Sequence, residues 1–110
     1  MPQTFKVLGQ SNPTAFTNTT LYTVPAATQA VISTITIANA NTSANANYSI
    51  AIRPAGATLA AQHYITNNNV VQAVDSIALT LGLTLGNTDV VTVYTSLPNV
   101  SFGIFGSEIT

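Results

Sequence analysis

His63 is the sole histidine in a 110-residue chain with five charged side chains, Lys6, Arg53, Asp75, Asp89 and Glu108, and no cysteine. Acid–base, nucleophilic and metal chemistry would have to be built from this stock. A Ser-His-Asp set can be drawn from His63, Asp75 or Asp89 and any of the serines, but no Gly-x-Ser-x-Gly turn presents a nucleophile. His63, beside Tyr64, is therefore read as a structural or interfacial histidine. Paired carboxylates for glycoside hydrolysis could come only from Asp75, Asp89 and Glu108, and nothing in the sequence supports two of them converging in one cleft. The Gly86-Asn-Thr-Asp89 and Asn67-Asn-Asn stretches hold oxygen ligands of the kind calcium takes, yet high-affinity sites gather several carboxylates and these residue types equally mark turns. Gly82 and Gly86 precede no Lys-Ser/Thr, and two scattered cations make no stripe for phosphates. The expectation is a non-enzymatic protein without catalytic residues, metal, cofactor, small-molecule substrate or nucleic-acid partner.

Charged residues make up 5% of the chain, against roughly 25% in ordinary soluble domains. Polarity is carried instead by Thr, Ser and Asn, which hydrogen-bond without the desolvation cost of an ion and so suit a surface that becomes covered. With a net charge of -1, self-repulsion is weak and a crowded monomer would tend to associate. Arg53 divides between an intersubunit anchor and an internal partner for Asp75 or Asp89, and no partner suggests itself for Glu108. Phe5, Lys6, Phe16, Arg53, His63 and Tyr64 are the candidate interface residues, aromatics and arginine being the types that dominate interfaces. Four Asn-x-Ser/Thr sequons, at Asn18, Asn41, Asn47 and Asn99, follow from composition. The opening Met1-Pro-Gln-Thr-Phe-Lys has no apolar run of signal-peptide length and no later run reaches membrane-helix length, so neither export nor a membrane partner is expected.

The elements that must position these residues read as strands. Ile77, Leu79, Leu81, Leu83 and Leu85 alternate with small or polar residues, the period of two of a half-buried strand, with a kink predicted at Gly82. Ile35 with Ile37, Tyr48 with Ile50 and Ile52, Val91 with Val93, and Val100 with Phe102 and Ile104 repeat the pattern. Shorter strands are predicted at Phe5–Leu8, Leu21–Val24 and His63–Ile65. Turn-forming stretches, among them Asn39 to Asn47 and Asn67-Asn-Asn, separate them at sandwich-like spacing. The prediction is one all-β domain, an antiparallel β-sandwich of about eight strands, jelly-roll or immunoglobulin-like. Residues 1–20 would form an extended N-terminal arm with the first strand, and residues 21–110 the sandwich. Two cations cannot guard every sheet edge, so some edges are expected to be covered by neighbours or by the arm.

Taken as whole phrases, Thr20-Leu-Tyr-Thr-Val-Pro, Ile52-Arg-Pro-Ala-Gly, His63-Tyr-Ile, Leu79-Thr-Leu-Gly-Leu-Thr-Leu, Thr88-Asp-Val-Val-Thr-Val-Tyr and Phe102-Gly-Ile-Phe-Gly-Ser-Glu-Ile-Thr resemble small virion structural proteins of tailed bacteriophages, particularly those of aquatic and cyanobacterial hosts. The resemblance spans Phe5 to Thr110. Members of that group often carry Cys-Asn-Arg where this chain has Ala38-Asn39-Ala40, so a contact made by that arginine is missing here. The resemblance implies a particle component, in the virion and in host cytoplasm during assembly. A capsid decoration or cement protein is expected, binding the major capsid protein and copies of itself, with a trimer at a capsid three-fold as the expected form. A tail, neck or baseplate protein and, from another class, a lectin-like carbohydrate-binding module are the alternatives.

Overall fold

The computed structural model describes residues 3–110, with Leu81 described by its backbone alone. Its strands are β1 (Gln3–Ser11), β2 (Thr19–Thr23), β3 (Gln29–Asn39), β4 (Ala46–Arg53), β5 (Tyr64–Val71), β6 (Asp75–Leu85), β7 (Val90–Thr95) and β8 (Val100–Ile109), with single 3-10 turns at Pro54–Gly56 and Ala61–His63. Two four-stranded sheets, ordered β1-β8-β3-β6 and β2-β7-β4-β5, are antiparallel throughout. Every connection crosses between sheets except the β4–β5 hairpin, which is the jelly-roll arrangement; the immunoglobulin-like alternative does not hold.

The core lies between the sheets, and the predicted alternations supply it. Ile35, Ile37, Tyr48, Ile50, Val91, Val93, Val100, Phe102 and Ile104 are all buried. Among the described side chains of the leucine strand, Leu85 is buried, while Ile77, Leu79 and Leu83 pack partly exposed against the core. β6 is one of the two edges of its sheet, where a neighbour covers one side only.

A β-bulge decides how β3 contributes. Ile32 and Ile35 are both completely buried, although residues three apart on a regular strand face opposite ways. Ser33 is the extra residue: Ile32 pairs with Gly106 and Thr34 with Phe105 on β8. The serine hydroxyl closes the irregularity by donating to the Phe105 carbonyl at 3.2 Å. On the other side Ile32 pairs with Leu83 and Thr34 with Thr80, so Leu81 and Gly82 bulge in β6, where the glycine was predicted to kink the strand. The bulge resets the phase and lets both halves of β3 feed the core.

Asn67-Asn-Asn, predicted as a turn, is instead the bulged middle of β5. Tyr48 pairs with Asn69 and Ile50 with Thr66, leaving Asn67 and Asn68 opposite Ser49 alone. Asn68 takes the left-handed φ of 61°, which asparagine tolerates better than most residues. Ser49 Oγ accepts the Asn68 amide at 2.9 Å and donates to Asn67 Oδ1 at 3.0 Å.

Of the expected arm, Met1 and Pro2 lie outside the described residues, and Gln3–Ser11 form β1, hydrogen-bonded along β8 in the chain's own sheet. β1 thus covers the β8 edge. Its bulge at Leu8, between the Val7–Phe105 and Gly9–Ile104 pairs, turns that leucine toward the core.

Candidate interaction surface

Each charged side chain is engaged within the fold. Glu108, on β8, lies diagonal to Lys6 on β1, since Thr4 pairs with Glu108 and Lys6 with Gly106. Lys6 Nζ is 2.7 Å from Glu108 Oε1, and the Tyr22 hydroxyl, on β2 of the opposite sheet, donates to Oε2 at 2.5 Å. The carboxylate therefore ties β1, β8 and β2 together where the two sheets meet at their edges. The hydrogen bond from Lys6 holds the Glu108 carboxyl below its ordinary range, the Tyr22 hydrogen bond adds to this, and the lysine's positive charge contributes further. Burial raises the Tyr22 phenol, as do its hydrogen bond to Glu108 and that residue's negative charge. No sequence pattern announced this cluster, because its members are distant in the chain.

Arg53 and Asp89 serve one turn. Arg53 Nε donates to the Ala57 carbonyl at 2.7 Å, Nη2 to the Gly56 carbonyl at 3.1 Å and Nη1 to Thr92 Oγ1 at 3.3 Å. Asp89 accepts the Ala55 amide on Oδ1 at 2.9 Å and the Gly86 amide on Oδ2 at 2.8 Å. The internal Arg53 pairing with Asp75 or Asp89, one of the two readings the sequence left open for this arginine, is not formed: both Arg53 and Asp89 clamp backbone, holding Ala55 at a φ of 52°. Asp75 accepts the Ser76 amide at 2.8 Å. His63 Nδ1 accepts the Ala60 amide at 3.0 Å, closing the turn that starts β5. Among the described residues no group of three His, Cys, Asp or Glu side chains gathers as a metal site would require.

The six candidate interface residues fall in three places. Phe5 and Lys6 are neighbours on β1. Arg53, His63 and Tyr64 lie at one end of the β4–β5 pair, where Ala51 pairs with Tyr64. Phe16 sits at the other end of that sheet, its amide bonded to the Thr95 carbonyl at 2.8 Å. Phe5 is 78% and Phe16 71% exposed; Arg53, His63 and Tyr64 are half-buried.

The most distinctive surface is the outer face of the β1-β8-β3-β6 sheet. Strand register puts Phe5 and Val7 on it from β1, Phe105 and Ile109 from β8, and Val31, Thr34 and Thr36 from β3. None of the described residues that register places there is charged: Lys6 and Glu108 point the other way. An open groove of about 420 Å³ crosses this face between Gln10 and Asn12 on one side and Thr36 and Ala38 on the other, walled by Phe105. Gly103 forms its floor, where a β-carbon would come within 2.8 Å of Thr36 Oγ1. The alternation of Ser101, Gly103 and Phe105 was visible in the sequence, but the groove needed the pairing of β8 with β1 and β3. No family model, curated protein or solved structure matches the chain.

Proposed function

We propose that the protein is a non-enzymatic structural component of a bacteriophage particle, a capsid decoration protein that binds the outer surface of the assembled head and bridges major capsid subunits. The observation that carries the reading is the uncharged outer face of the β1-β8-β3-β6 sheet, on a jelly roll whose charged side chains are all occupied internally. Such a face docks through apolar contact and neutral hydrogen bonds. It loses little to desolvation, and its attachment should be insensitive to ionic strength. Binding that favours the assembled shell over free subunits stabilises the shell by mass action, multiplied over many copies. The phrase resemblance to tailed-phage virion proteins supports the same reading.

Antibody labelling of purified particles, imaged by electron microscopy, tests it. Label on heads, retained from about 0.05 to 1 M salt, is the expected result. Label confined to tails or necks would transfer the assignment to the tail machinery, and unlabelled particles would overturn the virion reading.

A second reading rests on the groove. Amide and hydroxyl groups of Gln10, Asn12, Thr36 and Ser101 beside the Phe105 ring are the neutral chemistry that sugar hydroxyls and ring faces match. Glycan-array binding that is lost in Phe105→Ala would support a lectin-like role; a blank array would remove it.

A further inference from the structure

We propose that the protein pairs with a second copy of itself through the free edge of β1, the two strands running antiparallel about a two-fold axis at Phe5. The sandwich has four edge strands, β1, β6, β2 and β5. Three are poor templates for a further strand. β2 has five residues and a register shift between Thr20 and Tyr22, β5 is broken at Asn67 and Asn68, and the straight half of β6, Asp75–Thr80, exposes Asp75, Ser76, Ala78 and Thr80 with no large apolar side chain among them to seat a partner. β1 is different: Gln3 to Val7 pair one-to-one with β8 before the bulge, and all five are exposed.

Exposed edges are commonly guarded by lysine, proline or an inward-pointing charge. The straight stretch of β1 has one lysine, and Lys6 is bound back to Glu108 at 2.7 Å. The edge is consequently close to neutral, while Phe5, 78% exposed, and Val7, 50% exposed, stand along it. An edge of this kind invites another strand.

Two features select a copy of this chain over a foreign strand. Antiparallel edge pairing about a two-fold is self-complementary, so one straight edge completes the contact. The register centred on Phe5 then places Thr4 opposite the partner's Lys6, Gln3 opposite the partner's Val7, and the two phenylalanines side by side. Aromatic pairs are favourable cross-strand neighbours, and like charges are kept from facing each other. The product is a continuous eight-stranded sheet whose uncharged outer face is doubled. A two-fold pair replaces the three-fold form expected from sequence, and it stands independently of the virion reading, because it forms in solution without a head.

The test uses the full chain, whose lack of cysteine makes an introduced one a clean reporter. Directly opposed antiparallel residues lie with α-carbons about 4.5–5.5 Å apart, within the span a disulfide bridges. Under mild oxidation Phe5→Cys should form a covalent dimer severalfold faster than Thr80→Cys on the opposite edge. Sedimentation equilibrium should show a concentration-dependent dimer for the native chain and a monomer for Phe5→Lys, with the Phe5→Lys circular dichroism unchanged because the side chain is exposed. Equal cross-linking rates, a native monomer at about 1 mM, a trimer, or a Phe5→Lys dimer would each overturn the pairing. A monomer that still labels phage heads would remove the pairing and leave the virion reading intact.

Discussion

Tyr22 and Glu108 are 86 residues apart in the chain, and the tyrosine hydroxyl donates a 2.5 Å hydrogen bond to the carboxylate, joining β2 of one sheet to β8 of the other. Because Lys6 occupies the second carboxylate oxygen, β1 is fastened at the same point. Tyr22→Phe should therefore cost about 1–2 kcal/mol, and Glu108→Ala about 1–3 kcal/mol because it also leaves the buried phenol unpaired. Urea melts measure both. Exchange of β1 amides should rise in Glu108→Ala and stay near native in Tyr22→Phe, since the phenylalanine variant keeps the lysine contact.

The same cluster shapes the dependence of stability on pH. Glu108 titrates below its ordinary value near 4.5 in the folded chain. Its contribution is complete above that value and is lost as pH falls through the folded pKa. Tyr22 titrates above its ordinary 10.0, so its contribution is complete below pH 10 and is lost as pH rises beyond it. Thermal melts should give a plateau between about pH 5 and 10. Glu108→Gln should flatten the acid limb, and Tyr22→Phe the alkaline one.

Asn39 should be among the costliest polar positions to change. It is 2% exposed, and its Nδ2 donates to the Ala44 carbonyl at 3.0 Å and the Val71 carbonyl at 3.1 Å. Its Oδ1 accepts the Asn41 amide at 3.0 Å and Asn41 Nδ2 at 2.8 Å. Asn39→Ala should cost about 3 kcal/mol by leaving these groups without their partner. Asn39→Asp should do no better, since a carboxylate cannot donate to two carbonyls. Chemical denaturation with an unchanged slope is the measurement.

Asp89→Ala should cost about 1–2 kcal/mol, because two backbone amides lose a charged acceptor. The change should be local. Hydrogen exchange at Ala55 and Gly86 should accelerate, while β3 and β8 amides keep their native protection.

The strand count and the core faces were legible because alternation is a local signal: Tyr48, Ile50 and Ile52, or Val100, Phe102 and Ile104, need only their own spacing. Features created by pairing were not. Asn67-Asn-Asn has turn-forming composition and becomes a bulge because Ser49 supplies the missing partners from the next strand. Arg53 stood open between an interface and an aspartate; three-dimensional proximity commits it to two carbonyls of its own turn and to Thr92. Asn39 to Asn47 has turn-forming composition, yet its first asparagine is buried and organises the segment. Glu108 had no reading until β1 and β2 were brought beside it. The candidate surface was half visible, in Phe5 and in the scarcity of charge, but its flat neutral extent depends on which strands lie side by side.

Ser33 acts as a comma in the sentence of β3. It is exposed, yet it determines whether Ile35 and Ile37 are spoken to the interior or to the solvent. The chain therefore carries information in residue count as well as residue type. Many replacements at this site keep the meaning, whereas a one-residue deletion shifts the reading frame of everything that follows on the strand. Length at this point is held more tightly than chemistry.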